Sequence, residues 1–182
     1  MFKFNIDETK TLIPLHIAIL AVSDTRTLEN DDSGALLKSM IEESGHKVLD
    51  RQIVKDDVGA IRGVVEPWLA DENIDVVITT GGTGFAKRDV TPEALEPLFD
   101  KRIDGFSVLF HQYSAAQIGT STLQSRATAG LARDTLVFCL PGSKGACRDG
   151  WQGVIHYQLD SRHKPCNFID NIPRLNMAPD HD

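Results

Sequence analysis

Val76-Val-Ile-Thr-Thr-Gly-Gly-Thr-Gly-Phe-Ala-Lys-Arg-Asp-Val-Thr-Pro92 is the stretch on which the fold turns. The β-branched run Val76 to Ile78 ends in Thr79-Thr80 and breaks into Gly81-Gly82-Thr83-Gly84, the pattern of a buried strand emptying into a loop nearly free of side chains. Glycines permit positive φ and close approach of a ligand, so several N–H groups can converge on an anion. Downstream, Thr91 reads as a helix N-cap and Pro92 as the first helical residue, with Glu93 in the first turn. Between loop and helix lies Asp89, flanked by Arg88. An ordinary strand-to-helix turn needs one glycine rather than three, so the stretch is a candidate phosphate-and-metal site.

Working outward, His16-Ile-Ala-Ile-Leu-Ala-Val-Ser23 is a near-continuous apolar run, as expected of a strand covered on both faces. The acidic loop Glu29 to Asp32 leads through Ser33-Gly34 to Ala35, Leu36, Leu37, Met40 and Ile41 at helical spacing, with Gly45 as C-cap. His46 to Val54 predicts a second, less buried strand, with Val48 and Ile53 inward. Asp57 then caps a helix carrying Ile61, Val65, Trp68 and Leu69, which Pro67 is expected to kink or end early. After the central strand come a helix from Pro92 to about Phe99 and another over Phe106 to Ile118, stopped by Gly119. Residues 121–132 carry no firm signal. Thr135-Leu-Val-Phe-Cys-Leu140 is a further buried strand, broken by Pro141-Gly142-Ser143, and Ser143 caps a helix to about Gln158. Strand and helix alternate throughout. The fold class is therefore α/β: a three-layer α/β/α domain with a mostly parallel sheet and helices on both faces. The domain spans residues 15–160, between an N-terminal extension (1–14) and a C-terminal tail (161–182).

A chain of 182 residues with 41% apolar and 25% charged residues suits one such domain. The net charge of −7 argues against non-specific nucleic-acid binding. Cys139, Cys147 and Cys166 form no CxxC pair, and an odd count fits reduced thiols. Without a signal-peptide pattern or a bilayer-length apolar run, the expected location is cytoplasmic.

Ligands of open α/β sheets bind outside the carboxyl ends of the strands. Four strand ends here are polar or glycine-rich: Ser23-Asp24, Lys55-Asp56-Asp57, Thr80 to Gly84, and Pro141-Gly142-Ser143. Asp56 and Asp89 follow different strands, and two carboxylates beside a phosphate cradle suit Mg²⁺, which prefers oxygen ligands. Asp57 is assigned to capping. The glycine loop lacks the Gly-Lys-Ser/Thr of a P-loop and the register of the dinucleotide fingerprint. No serine elbow is present, and His16 and His46 read as structural.

Thr79 to Gly84 followed by Arg88-Asp89-Val90-Thr91-Pro92-Glu93 resembles the signature of the molybdenum cofactor biosynthesis MoaB/Mog family. The resemblance extends from Ile17 to Asn167 and includes Val22-Ser23-Asp24, Asp32-Ser33-Gly34, Ile53 to Asp56, Ser125-Arg126 and Leu140 to Ser143. Gly119 to Arg126 and Arg162 to Phe168 are similar to the MoaB branch in particular. The family implies trimers or hexamers, and an adenylyltransferase that joins ATP to molybdopterin with release of pyrophosphate. Carried over, Asp56 and Asp89 are the catalytic and Mg²⁺-binding positions. Ser23, Asp24, Asp32, Ser33, Gly34, Thr80, Gly81, Gly82, Thr83, Gly84, Ser125, Arg126, Pro141, Gly142 and Ser143 are the pterin- and nucleotide-binding set. A non-catalytic molybdopterin- or nucleotide-binding protein of the same pathway is the alternative, and an oligomeric scaffold a third reading.

Overall fold

A computed structural model describes residues 4–172. The outer ends of the extension and tail, residues 1–3 and 173–182, lie outside the described residues. Asn5–Ile6 (β1) precedes the main sheet. Then follow His16–Val22 (β2), Asp32–Glu43 (α1), Lys47–Val54 (β3), Val58–Ala70 (α2), Val76–Thr80 (β4) and Thr91–Leu95 (α3). The second half holds Lys101–Arg102 (β5), Asp104–Ile118 (α4), Thr128–Ala132 (β6), Thr135–Leu140 (β7) and Lys144–Gly150 (α5). His156–Gln158 (α6), His163–Lys164 (β8) and Phe168–Asn171 (α7) complete the chain.

The main sheet runs β3-β2-β4-β7-β6-β5. Its first four strands are parallel, whereas β6 and β5 add on antiparallel. The chain moves outward from β2 to β3 and returns on the other side of β2 as β4, so a topological switch lies between β2 and β4. At such a point neighbouring strand-end loops diverge and leave a crevice.

Each apolar run is continuous because alternate residues serve two cores. Ile17, Ile19, Ile78 and Phe138 pack with Leu37, Ile41, Phe106, Phe110 and Trp151 on the α1, α4 and α5 side. Ala18, Leu20, Val77 and Val137 pack with Ile61, Val65, Trp68 and Leu95 on the α2 and α3 side. The expected three layers are thus present. The caps follow their chemistry as well. Asp57 accepts from Ala60 N at 2.8 Å and Ser143 from Ala146 N at 3.1 Å, satisfying orphan donors of the first helical turns.

Several local expectations are corrected. The first helix begins at Asp32, capped by Asp31, so Asp32-Ser33-Gly34 form its first turn rather than a loop. Pro67 neither ends nor shortens α2, because it falls in the last turns and buried Trp68 and Leu69 hold the helix to Ala70. Thr91 is helical and Val90 is the N-cap position, with no side-chain cap bond. The unassigned region holds a 3₁₀ segment, Gly119–Gln124, and strand β6. Strand β6 joins β7 through Arg133-Asp134, both at positive φ (49° and 63°). Such two-residue hairpins usually carry Asn-Gly or Asp-Gly. Arg133 N, donating to Asp100 Oδ2 at 2.7 Å, ties this turn to the preceding loop. The flanking segments are built into the domain: β1 pairs with β8, and Ser161, Asn167 and Ile169 are buried. His46 is structural as expected, its Nδ1 accepting from Leu15 N at 3.1 Å.

Candidate active site

The strand ends beside the switch enclose a cleft of about 570 Å³. Of the predicted residues, Ser23, Asp24, Asp56, Gly81, Gly82, Thr83, Gly84, Asp89, Pro141, Gly142 and Ser143 line it. Thr25, Arg26, Arg88 and Gln124 line it too.

The glycine loop is held from beneath. Gly81 N donates to Leu140 O at 2.9 Å, and Thr91 N donates to Gly82 O at 2.9 Å. The Thr91 hydroxyl, buried and freed from capping, donates to Gly81 O at 2.9 Å. Gly81 (φ +107°) and Gly82 (φ +64°) lie in the left-handed region, and a Cβ on Gly81 would fall 2.2 Å from Val22 O. The N–H groups of Gly82, Thr83 and Gly84 donate to no protein group among the described residues. That arrangement is a cradle for an anion.

The two aspartates sit against this loop. A Cβ on Gly82 would come within 2.9 Å of Asp56 Oδ1, and one on Gly84 within 2.7 Å of Asp89 Oδ2. The loop lacks side chains partly because carboxylates occupy that space. Asp89 Oδ2 accepts from Ala86 N at 2.8 Å, which fixes its orientation. Asp56 Oδ1 is buried without a hydrogen-bond partner among the described residues. Burial raises the Asp56 pKa, and the neighbouring charges of Asp24 and Asp89 raise it further. A buried, unpaired carboxylate oxygen beside two other acids fits a hard cation that has oxygen ligands to spare for a substrate. Among the described residues no group of three or more His, Cys, Asp or Glu is arranged to hold a metal alone. A cation here would take its remaining ligands from phosphate and water.

The other predicted residues support the cleft from outside it. Asp32 is exposed and pairs with Lys144 at 2.8 Å, which holds its carboxyl below the usual range. Buried Ser33 donates to Gly142 O at 2.9 Å. A Cβ on Gly34 would fall 2.1 Å from Asp31 Oδ2, so this glycine makes room for the capping carboxylate. Thr80 Oγ1 donates to Pro141 O at 3.1 Å, joining the β4 and β7 ends. Ser125 Oγ lies 3.5 Å from Thr83 Oγ1.

Arg126 is a brace. Its Nε donates to Gly84 O at 2.9 Å and its Nη2 to Asp89 O at 2.8 Å, while Nη1 pairs with Glu93. One guanidinium thus spans both ends of the segment carrying Arg88 and Asp89. Lysine cannot reproduce this fork. Arg126→Lys should therefore cost about 1–2 kcal/mol in urea unfolding and weaken ligand binding. Unchanged stability would mean that the fork carries no weight.

Sequence reasoning missed Arg26, Gln124 and Thr91's role. Arg26 stands three residues beyond Ser23, and a cation after a strand end was the available signal; for Gln124 it was its place beside Ser125-Arg126 in the stretch similar to the MoaB branch.

Residues 18–161 match the family model of a probable molybdopterin binding domain. The chain is 51% identical over 162 residues to Molybdenum cofactor biosynthesis protein B of Escherichia coli K12, covering 89% of this chain and 95% of that protein. A crystal structure of a Molybdenum cofactor biosynthesis protein B superposes with a TM-score of 0.78 at 45% identity, covering 80% of this chain and 91% of the other. The tungsten cofactor synthesizing protein MoaB from Pyrococcus furiosus superposes at 0.66 with 32% identity, covering 76% and 89%. Likeness over most of the chain, in sequence and in fold, places this chain in the molybdenum cofactor biosynthesis MoaB/Mog family.

Proposed function

We propose that this protein acts in molybdenum cofactor biosynthesis as a Mg²⁺-dependent molybdopterin adenylyltransferase. ATP and molybdopterin are the substrates, adenylyl-molybdopterin and pyrophosphate the products. The observation that carries the reading is the position of Asp56 and Asp89 against the glycine cradle, with Asp56 Oδ1 buried and unpaired.

The substrate phosphate attacks the α-phosphorus of ATP, and the bond to the bridging oxygen of the leaving pyrophosphate breaks. That nucleophile is already anionic, so no general base is needed. The requirement is to align two mutually repelling anions and to offset their charge. Gly82, Thr83 and Gly84 offer uncommitted N–H donors to one phosphate group. Asp56 and Asp89 would hold Mg²⁺, which when bound would supply positive charge to offset that of the phosphate groups and of the leaving group. Arg88 adds a positive charge at the same rim. The same reading makes the protein a homo-oligomer, trimer or hexamer. Val108, Leu109, Ile118 and Leu123 support that, exposing apolar surface along α4 and the turn after it.

Purified protein with molybdopterin, ATP and Mg²⁺ should form adenylyl-molybdopterin, detected by chromatography. An Asp56→Ala, Asp89→Ala double variant should form none while still binding molybdopterin. Tight pterin binding without product in the unmodified protein would instead support the non-catalytic carrier.

A further inference from the structure

The sheet gives the cleft two sides. Asp56 and Asp89 lead into α2 and α3 on one face, whereas Arg26 reaches toward α1 and α5 on the other. Arg26 Nη1 donates to Ser33 Oγ at 3.3 Å and to Gly142 O at 3.2 Å, crossing the end of β4 to reach the loop after β7. The same nitrogen lies 3.7 Å from Asp31 Oδ1, whose side chain is fully buried and also pairs with Arg51 at 3.0 Å. A long side chain on a loop would ordinarily be free to swing. Here one terminal nitrogen is tied to the first turn of α1, to the loop after β7 and to a buried carboxylate.

What remains is the Nε–Nη2 edge. Neither nitrogen donates to any group among the described residues, and the side chain is 41% exposed where it lines the cleft. That edge is the planar two-donor fork that matches two oxygens of one phosphate. Among the described residues the N–H groups of Gly142 and Ser143, beside it, likewise donate to no protein group. A second anion subsite is therefore laid out away from the carboxylate pair, one that needs no metal ion because its own charge is positive.

We propose that Arg26 grips the phosphate-monoester end of the pterin substrate through its Nε–Nη2 edge, while the carboxylate side receives the nucleotide phosphates with their cation. The assignment rests on the adenylyltransferase reading and adds which substrate occupies which side. It also explains the choice of arginine. The nucleophilic phosphate must approach an already anionic partner, and a fixed fork sets its orientation as well as offsetting its charge. Asp31 is then a positioning residue, acting through Arg26.

The test compares Arg26→Gln and Arg26→Lys with the unmodified protein in steady-state adenylylation. Arg26→Gln should raise the KM for molybdopterin about 10- to 100-fold and leave the KM for ATP within about twofold, with Arg26→Lys between them. A raised KM for ATP with that for molybdopterin unchanged would overturn the assignment and put nucleotide phosphate on Arg26. Equal kinetics in all three proteins would also overturn it. A second measurement separates this from failure of the enzymatic reading. Calorimetric binding of molybdopterin to metal-free protein in EDTA should weaken by the same factor in Arg26→Gln, whether or not turnover occurs. Equal binding by variant and unmodified protein would reject the subsite. Thermal unfolding of each variant confirms that a folded protein is being compared.

Discussion

Replacing Asp56 by asparagine is expected to lower adenylylation by about 10²- to 10³-fold and leave the melting temperature equal or higher. The two halves of this result share one cause. Asp56 Oδ1 is buried with no partner, and burial together with Asp24 and Asp89 raises the carboxyl's pKa. A group whose pKa is higher folded than unfolded supports folding fully below its unfolded value. That support is lost as pH rises from the ordinary carboxylate value, 3.8, through the raised folded one. Near neutral pH the ionised Asp56 thus opposes folding, and asparagine removes the charge. The opposition is relieved when a cation binds, so Mg²⁺ should raise the melting temperature of the unmodified protein more than that of the variant. In the metal-free protein Mg²⁺ binding should weaken on acidification over a range above 3.8, because the carboxyl must lose its proton to take the cation. A variant that loses stability while keeping turnover would reverse the role assigned to Asp56.

Gly81→Ala should have the largest effect on stability, a loss of about 3 kcal/mol or more. The backbone at φ +107° is strained for any residue with a side chain, and the new methyl would sit 2.2 Å from Val22 O. That carbonyl cannot retreat cheaply: it belongs to β2, whose Ala21 and Val22 are in register with Thr80 and with Val54 on either side. Gly63→Ala is the matching control. Gly63 lies inside α2, where an added Cβ would meet nothing within 4 Å beyond its own stretch of helix backbone, and alanine there should stabilise by about 0.5–1 kcal/mol. Urea unfolding of both variants measures the contrast directly. Two losses of equal size would show that helix or loop context, rather than the crowding at Val22, governs these positions.

Glycines 81, 82 and 84 were legible as a cradle because three in four residues is more than a turn requires. The structure supplied the reason each is glycine: Val22 O, Thr91 Oγ1 with Asp56, and Asp89 respectively crowd the missing Cβ positions. Asp56 and Asp89 were legible from their place after two strand ends. Ser125 and Arg126 were found through the family signature, but their part was not: they touch the glycine loop rather than line the cleft. Arg26 was in plain view after the first strand, yet its value depends on Gly142, which lies 116 residues away in the chain.

The sequence alone determined that three apolar runs would be covered on both faces, and hence the α/β class, since a strand lacking polar alternation has no side to give to water. It also determined the caps at Asp57 and Ser143 and the glycine cradle, all local matters of side-chain chemistry and allowed φ. Tertiary structure decided the rest. Thr128-Ala-Gly-Leu-Ala132 has no strand signal of its own; it is a strand because β7 offers hydrogen bonds and because Gly130 leaves room for the Phe99 ring. Pro67 is tolerated because buried neighbours hold the helix end, and Thr91 exchanges a cap for a bond to Gly81 O. In each case long-range packing outweighed a local preference worth about 1–3 kcal/mol, since the partners that decide it come from elsewhere in the chain.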